Sequence, residues 1–157
     1  GLGNTSGTLV GQNLGAGKPE RAARCARWVS VYAAGYLVTL TSLLFLFAEP
    51  LIAFFDPTPE VVAIGATCIR IIAFSLVFDG IGFVFSRGLE GAGNTVPTAA
   101  INLLTLWGLQ LPLAYALSLW LGLGLVGIWW GRALANVANG LFFTAWFQRG
   151  RWKHREL

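Results

Sequence analysis

The sequence predicts an all-α fold, a polytopic bundle of transmembrane helices, and three observations predict it. Of 157 residues, 55% are hydrophobic and only 11% are charged, under half of the about 25% charged residues in a typical soluble domain. The mean hydropathy is +0.65, and a soluble fold of this size would lack the polar residues to cover its surface. The uncharged stretches are continuous apolar runs without the period-2 alternation that marks the strands of a membrane barrel. The chain contains no Met, which predicts that it is part of a longer polypeptide.

The elements follow in order. A bilayer core about 30 Å thick requires roughly 20 apolar residues per spanning helix. Residues 1–14 hold Gly3, Gly7 and Gly11, and Gly15 continues the row at the same spacing. Small residues every four positions let two helix backbones approach closely in lipid, so the segment reads as the end of a span, with a Gly-rich flexible loop as the alternative. Trp28 to Ala48 is 21 residues without a charge, which predicts a span over 28–48. Residues 60–86 are apolar except for Arg70 and Asp79 and form the next predicted span. Gly91 to Gly131 is 41 residues without a charge, too long for one helix, and Gly122, Gly124 and Gly127 divide it into spans over 97–121 and 125–147. Pro112 removes an intrahelical hydrogen bond and is expected to kink the first of these. Gly127 and Gly131, followed by Ala135, repeat the packing device in the last helix. Residues 1–157 therefore read as one transmembrane unit, four complete spans and the end of a fifth, closed by a tail at 148–157.

Charge placement sets the topology. The segment from Gly15 to Arg27 carries Lys18, Arg21, Arg24 and Arg27, the loop after 60–86 carries Arg87, and the tail carries Arg149, Arg151, Lys153 and Arg155. The alternate loops, Glu49–Glu60 and Leu121–Leu125, have no Lys or Arg. The positive-inside rule places the first set and the C-terminus in the cytoplasm, as for a multi-pass protein of the cell (plasma or inner) membrane. Trp28, Trp146 and Trp152 then fall near the inner interface, and Trp120, Trp129 and Trp130 near the outer one, where Trp is enriched. Only Trp107 falls at mid-depth. The net charge of +4 therefore expresses topology, and nucleic acid is set aside as a partner. Cys25, Cys68 and the single His154 support neither a disulfide framework nor a zinc site. No signal peptide is visible, and no phosphate-binding loop, metal-hydrolase motif or nucleophile–base pair stands in the chain, so neither a cofactor nor an enzymatic activity is predicted.

One residue conflicts with its surroundings. With Arg87 at the cytoplasmic edge, Asp79 lies roughly 12 Å inside the membrane and Arg70 roughly 25 Å, close enough to the far face to snorkel. The two are about 180° apart around the helix and cannot pair. An ionised carboxylate at such depth costs about 2.5–3.5 kcal/mol, so Asp79 must face a polar cavity, find a partner or hold a proton. Ser75, Asp79, Gly82 and Ser86 share one face at 4-3-4 spacing. A carboxylate that alternately holds H⁺ or Na⁺ is what a coupled transporter requires. The alternative is an Asp held by a hydroxyl or amide of a neighbouring helix for packing. Arg132, Asn136 and Asn139 share a face of the last helix, and either line a water-filled pathway or bond neighbouring helices. Asn102 and Gln110 are about 80° apart on the preceding one. Ser75, Gly82, Asn102, Gln110, Arg132, Asn136 and Asn139 are accordingly the candidate cavity-lining residues around Asp79.

The chain also resembles a known family. The run Val10-Gly-Gln-Asn-Leu-Gly-Ala-Gly-Lys18 before a charged stretch, then Leu89-Glu-Gly-Ala-Gly-Asn-Thr95 with Pro97, then Gly122–Trp129, then Phe147-Gln-Arg-Gly-Arg-Trp152 occur in order. Together they resemble the C-terminal lobe of the multidrug and toxic compound extrusion (MATE) family. The resemblance implies a twelve-helix, two-lobe transporter of which this chain supplies the end of the eighth helix and the ninth to twelfth, about a third. It implies a missing N-terminal lobe as partner, the lipid bilayer as surroundings, drug-like small molecules as substrates and Na⁺ or H⁺ as coupling ion, with no other cofactor. Asp79 falls on the tenth helix, where an acidic residue in many members takes part in cation coupling. Two positions depart from the family pattern: Glu90 and Asn94 stand where Arg and Asp are usual, which removes that pairing from the loop. The resemblance thus implies a secondary active, cation-coupled antiporter that exports drugs or other xenobiotics. A flippase for lipid or polysaccharide precursors is the alternative within the same superfamily, and would predict a groove lined by several cations, where the spans have only Arg70 and Arg132. A non-transporting scaffold is the alternative outside it, and predicts that Asp79→Asn is silent.

Overall fold

The computed structural model describes residues 1–154. Six helices follow one another: α1 (Leu2–Gly15), α2 (Pro19–Leu46), α3 (Ala48–Phe55), α4 (Pro59–Gly91), α5 (Thr95–Trp120) and α6 (Gly124–Gln148), then a short 3-10 turn at Arg151–His154. No strand occurs among the described residues. Arg155, counted above with the basic tail, lies outside them.

Three helices, α2, α4 and α5, are long and apolar enough to cross a membrane. The last, α6, has 25 residues, about 37 Å at 1.5 Å per residue, and carries Arg132, Asn136 and Asn139 within its length. The helices outrun the apolar runs at their ends. Thus α2 begins at Pro19 rather than at residue 28, because Pro is well placed in a first turn and charged side chains are good helix formers. The stretch read as a loop after Ala48 contains α3, whose Pro50 stands in the first turn, where a missing N–H costs nothing. Asp56 then meets Thr58 before α4 starts, and the Thr58 hydroxyl, together with its N–H at 2.9 Å, holds the Asp56 carboxyl below the usual carboxylate range.

Around Pro112 the chain departs from a simple kink. Leu104–Gln110 and Ala116–Trp120 widen to π-helical turns on either side of it, and the Leu121 N–H reaches back five residues to the Ala116 carbonyl at 3.1 Å. Such widening re-satisfies backbone groups where a proline interrupts the regular ladder.

The bundle is built around α4, and small residues form its contacts. Gly3, Gly7 and Gly11 of α1 run alongside α4: a Cβ at Gly7 would stand 2.9 Å from the Arg87 carbonyl oxygen, one at Gly11 3.0 Å from that of Gly91, and one at Gly3 would strike the Phe83 ring. Gly15 departs from the row. A Cβ there would meet open space, because the chain is already turning: Gly17 adopts φ +69° and the Lys18 N–H closes on the Asn13 carbonyl at 2.8 Å. The same turn ends α4, with Gly93 at φ +71° and the Asn94 N–H on the Leu89 carbonyl at 2.8 Å. The repeated Gly-Ala-Gly therefore makes a helix stop that only Gly adopts freely.

The remaining helices join in the same way. A Cβ on Gly82 would stand 2.8 Å from the Gly140 Cα, and one on Gly140 would collide with the Phe78 backbone, so α4 and α6 cross at near-contact. Gly127 and Gly131 place α6 against Leu117, Ser118 and Ala114 of α5. Buried positions are mostly Ala, Gly and Ser, whereas Phe54, Phe55 and Trp120 are 78–83% exposed. That inversion suits lipid, where large apolar side chains gain nothing by burial and close backbone packing holds helices together. Gly140→Val is therefore expected to destabilise the detergent-purified protein by about 1–3 kcal/mol through overpacking, seen as loss of the monodisperse species at lower temperature. Gly15→Ala should leave that temperature essentially unchanged.

Candidate functional site

Helices α4, α5 and α6 bring one carboxylate and a set of amides together. Asp79 lies on α4, two turns before Arg87, and is partly buried. Asn102, Thr105 and Gln110 face it from α5, and Asn136 and Asn139 from α6, around a cavity of about 220 Å³. A second cavity of about 170 Å³ shares Asp79, Asn102 and Asn139 and continues to Ser86, Arg87 and Glu90 at the basic end. Asp79 and its two amide neighbours therefore stand between two polar chambers.

Hydrogen bonds hold this arrangement. The Asn139 Nδ2 donates to Thr105 Oγ1 at 2.7 Å and to Asn102 Oδ1 at 3.2 Å, joining α6 to α5. The Thr105 hydroxyl donates in turn to the Ile101 carbonyl at 2.8 Å. The Asn136 Nδ2 donates to Ser75 Oγ at 3.5 Å, joining α6 to α4. With the Asn139 amide nitrogen spent on α5, its Oδ1 comes within 3.5 Å of where a Cβ on Gly82 would be, on the α4 side. Asp79 forms no salt bridge: the three ion pairs among the described residues are Arg70–Glu49, Arg87–Glu90 and Lys153–Glu20. Arg132, itself exposed, is the cation whose field reaches it. A carboxylate beside amide carbonyls and a hydroxyl in a small polar chamber can take a proton or offer oxygen ligands to a hard monovalent cation.

The candidate residues sort into those that line the chamber and those that do not. Asp79, Asn102, Gln110, Asn136 and Asn139 line it together. Ser75 is buried between helices, donating to the Ile72 carbonyl at 3.0 Å and accepting from Asn136. Gly82 is a packing residue, placed against Gly140. Arg132 projects to the surface. Thr105 was missed, although its spacing of three from Asn102 puts both on one face of α5.

Three helices long and apolar enough to cross a membrane, with Asp79 of α4 set among amides of α5 and α6, define a membrane helix bundle. A family model, MatE, matches residues 1–116, and the chain belongs to this family. The probable multidrug resistance protein NorM of Thermotoga maritima is 30% identical over 148 residues, covering 94% of this chain and 32% of that protein. The multidrug resistance protein PmpM of Pseudomonas aeruginosa is 38% identical over 119 residues, 75% of this chain and 25% of its own length. The fold is that of a multidrug resistance MATE family transporter solved in an inward-facing conformation, at a TM-score of 0.85 and 17% identity over 94% of this chain and 34% of that one. The MATE transporter ClbM in complex with Rb⁺ superposes at a TM-score of 0.84, with 20% identity over 92% of this chain and 34% of that one. The chain thus spans about a third of the length of the relatives it matches.

The two-chamber geometry predicts a labelling pattern. After Cys25→Ser and Cys68→Ser, thiols introduced as Gln110→Cys and Asn136→Cys should react with a membrane-impermeant maleimide, and Ser75→Cys, at 1% exposure, should be protected. Equal reaction at all three positions would remove the distinction between cavity and helix contact.

Proposed function

We propose that this chain forms part of a cation-coupled exporter of drug-like molecules in which Asp79 is the coupling carboxylate. The observation that carries the reading is the position of Asp79: the acidic side chain deep in the spans, set between two polar chambers and flanked by Asn102 and Asn139. Binding H⁺ or Na⁺ there would neutralise a charge that is costly in lipid, and releasing it would restore the charge. The state of the carboxylate would thereby bias how α4 and α6 sit against α5, the kind of shift on which rocking of one bundle against another depends. Support for the substrate class comes from the relatives, which are named as multidrug resistance proteins. A transport role suits this site because amides and the Thr105 hydroxyl beside Asp79 offer oxygen ligands to a cation.

The basic residues support an orientation as well. Lys18 and the arginines of α2, together with Arg87, Arg149, Arg151 and Lys153, gather at one end of the bundle, which the positive-inside rule makes the cytoplasmic end of a protein in the cell or inner membrane. The second chamber would then lead from Asp79 towards the cytoplasm past the Arg87–Glu90 pair, 2.8 Å apart. An N-terminal lobe would complete the substrate pathway.

The test uses the intact protein encoded by the gene, in an efflux-deficient bacterial host. Wild type should lower ethidium accumulation, and Asp79→Asn at matched membrane levels should restore it to the level of cells lacking the protein. Efflux by both alike would remove Asp79 from coupling and make it a structural residue.

A further inference from the structure

A pocket at the basic end, remote from Asp79, is built by the C-terminal turn. After α6 the chain reverses at Gly150, φ +70°, and folds back on itself. Trp152 is buried to 1% exposure, donates its indole N–H to the Phe147 carbonyl at 2.9 Å, and stacks on the Phe147 ring at 4.7 Å. Its ring therefore faces protein rather than lipid. Its burial brings Lys153 across to α2, where Nζ pairs with Glu20 at 2.8 Å. The turn thereby closes a pocket of about 230 Å³ whose polar lining is Arg27, Gln148 and Lys153, and whose floor is Ala23, Phe85 and Phe147.

The chemistry of this pocket is specific. Arg27 spends its Nε on the Ala23 carbonyl at 3.3 Å, and no hydrogen bond involves its Nη groups among the described residues. Arg24 adds positive charge one turn before Arg27 on α2, Arg149 and Arg151 follow α6 in the chain, and Glu20, a carboxylate among the described residues at this end, is already bonded to Lys153. Trp28 follows Arg27 and Trp146 precedes Phe147 in the chain, and Trp favours the membrane–water boundary. The pocket therefore lies at headgroup depth, with cations on one wall and aromatic and methyl surface on the other. Its volume corresponds to roughly eight waters at about 30 Å³ each, enough for a phosphate ester with part of its glycerol. Basic pockets between membrane helices on the cytoplasmic side are suited to anionic headgroups.

We propose that this pocket binds a phosphate group, that of an anionic phospholipid at headgroup depth, with Arg27 and Lys153 as its cationic ligands and the stacked Trp152 turn as the clasp that positions Lys153. A bound phosphate would bridge α2 to the end of α6, coupling the closed tail to the composition of the inner leaflet. The site is independent of the role assigned to Asp79.

The experiment is native mass spectrometry of the intact, detergent-purified protein, titrated with phosphatidylglycerol or phosphatidylcholine of matched chains. Phosphatidylglycerol should be retained in preference to phosphatidylcholine. Arg27→Gln and Lys153→Gln should each weaken that retention about fivefold, as loss of one lipid-facing cation predicts. Glu20→Gln breaks the same ion pair as Lys153→Gln but frees the ammonium, so it should keep or strengthen lipid retention. Lys18→Gln, a cation lost at the same end outside the pocket, should change it little. Equal retention of the two lipids, equal loss in Lys18→Gln, or loss in Glu20→Gln matching that in Lys153→Gln would overturn the proposal. Displacement by millimolar inorganic phosphate, abolished by Arg27→Gln, would keep the phosphate site and assign it to the soluble anion instead.

Discussion

The contact on which the rest of the bundle depends is the backbone-to-backbone approach of α4 and α6 at Gly82 and Gly140. With no Cβ on either side, the two helices meet at a distance that any side chain would forbid. In lipid, where apolar burial offers no drive between helices, such proximity maximises dispersion contacts and is itself the stabilising interaction. It also has a positional consequence. Asn139 immediately precedes Gly140, and the close crossing turns its amide into the junction of α4, α5 and α6. From there it reaches Asn102 and Thr105 and separates the two chambers beside Asp79.

The polar residues buried elsewhere obey a complementary rule. Ser30, Thr41 and Thr98 each donate to a carbonyl three or four residues back in the chain. A hydroxyl satisfied in this way can face another helix without demanding a partner from it. Ser6 departs from this, as its Oγ is buried without a hydrogen bond and lies against α4, 3.1 Å from where a Cβ on Gly88 would be. Only at the α4–α5–α6 junction do side-chain amides and hydroxyls bond across helices in number. The contrast separates a region organised for polar contents from one organised for packing.

Charge follows the same division. Arg70 reaches Glu49 at the start of α3, at 2.9 Å, and rests over the Phe45 ring. Arg87 pairs with Glu90 one turn on, at the end of α4. Lys153 meets Glu20 across the termini of α6 and α2. Ion pairs open to solvent on at least one side add little to stability, and the effect of these is to settle charges at helix ends. Asp79 stands apart from all three, in the middle of α4.

Much of this was legible in the chain. Composition and uncharged run length determined the membrane helix bundle, because hydrocarbon admits only long apolar segments whose backbone bonds close within the helix. Helical spacing determined that Ser75 and Asp79 share a face, as do Asn136 and Asn139, and depth from Arg87 marked Asp79 as anomalous. Which faces meet was not legible, because spacing orients residues within one helix and says nothing of its neighbours. Only the tertiary structure made Gly82 a packing surface, sent Arg132 outward, added Thr105 to the chamber and left Gly15 to the end of α1. It also buried Trp152 of the tail against Phe147. The physical reason is common to all of these. Periodicity and hydropathy are properties of single helices in lipid, whereas close backbone approach, shared amides and a closed tail arise only when specific helices are brought together.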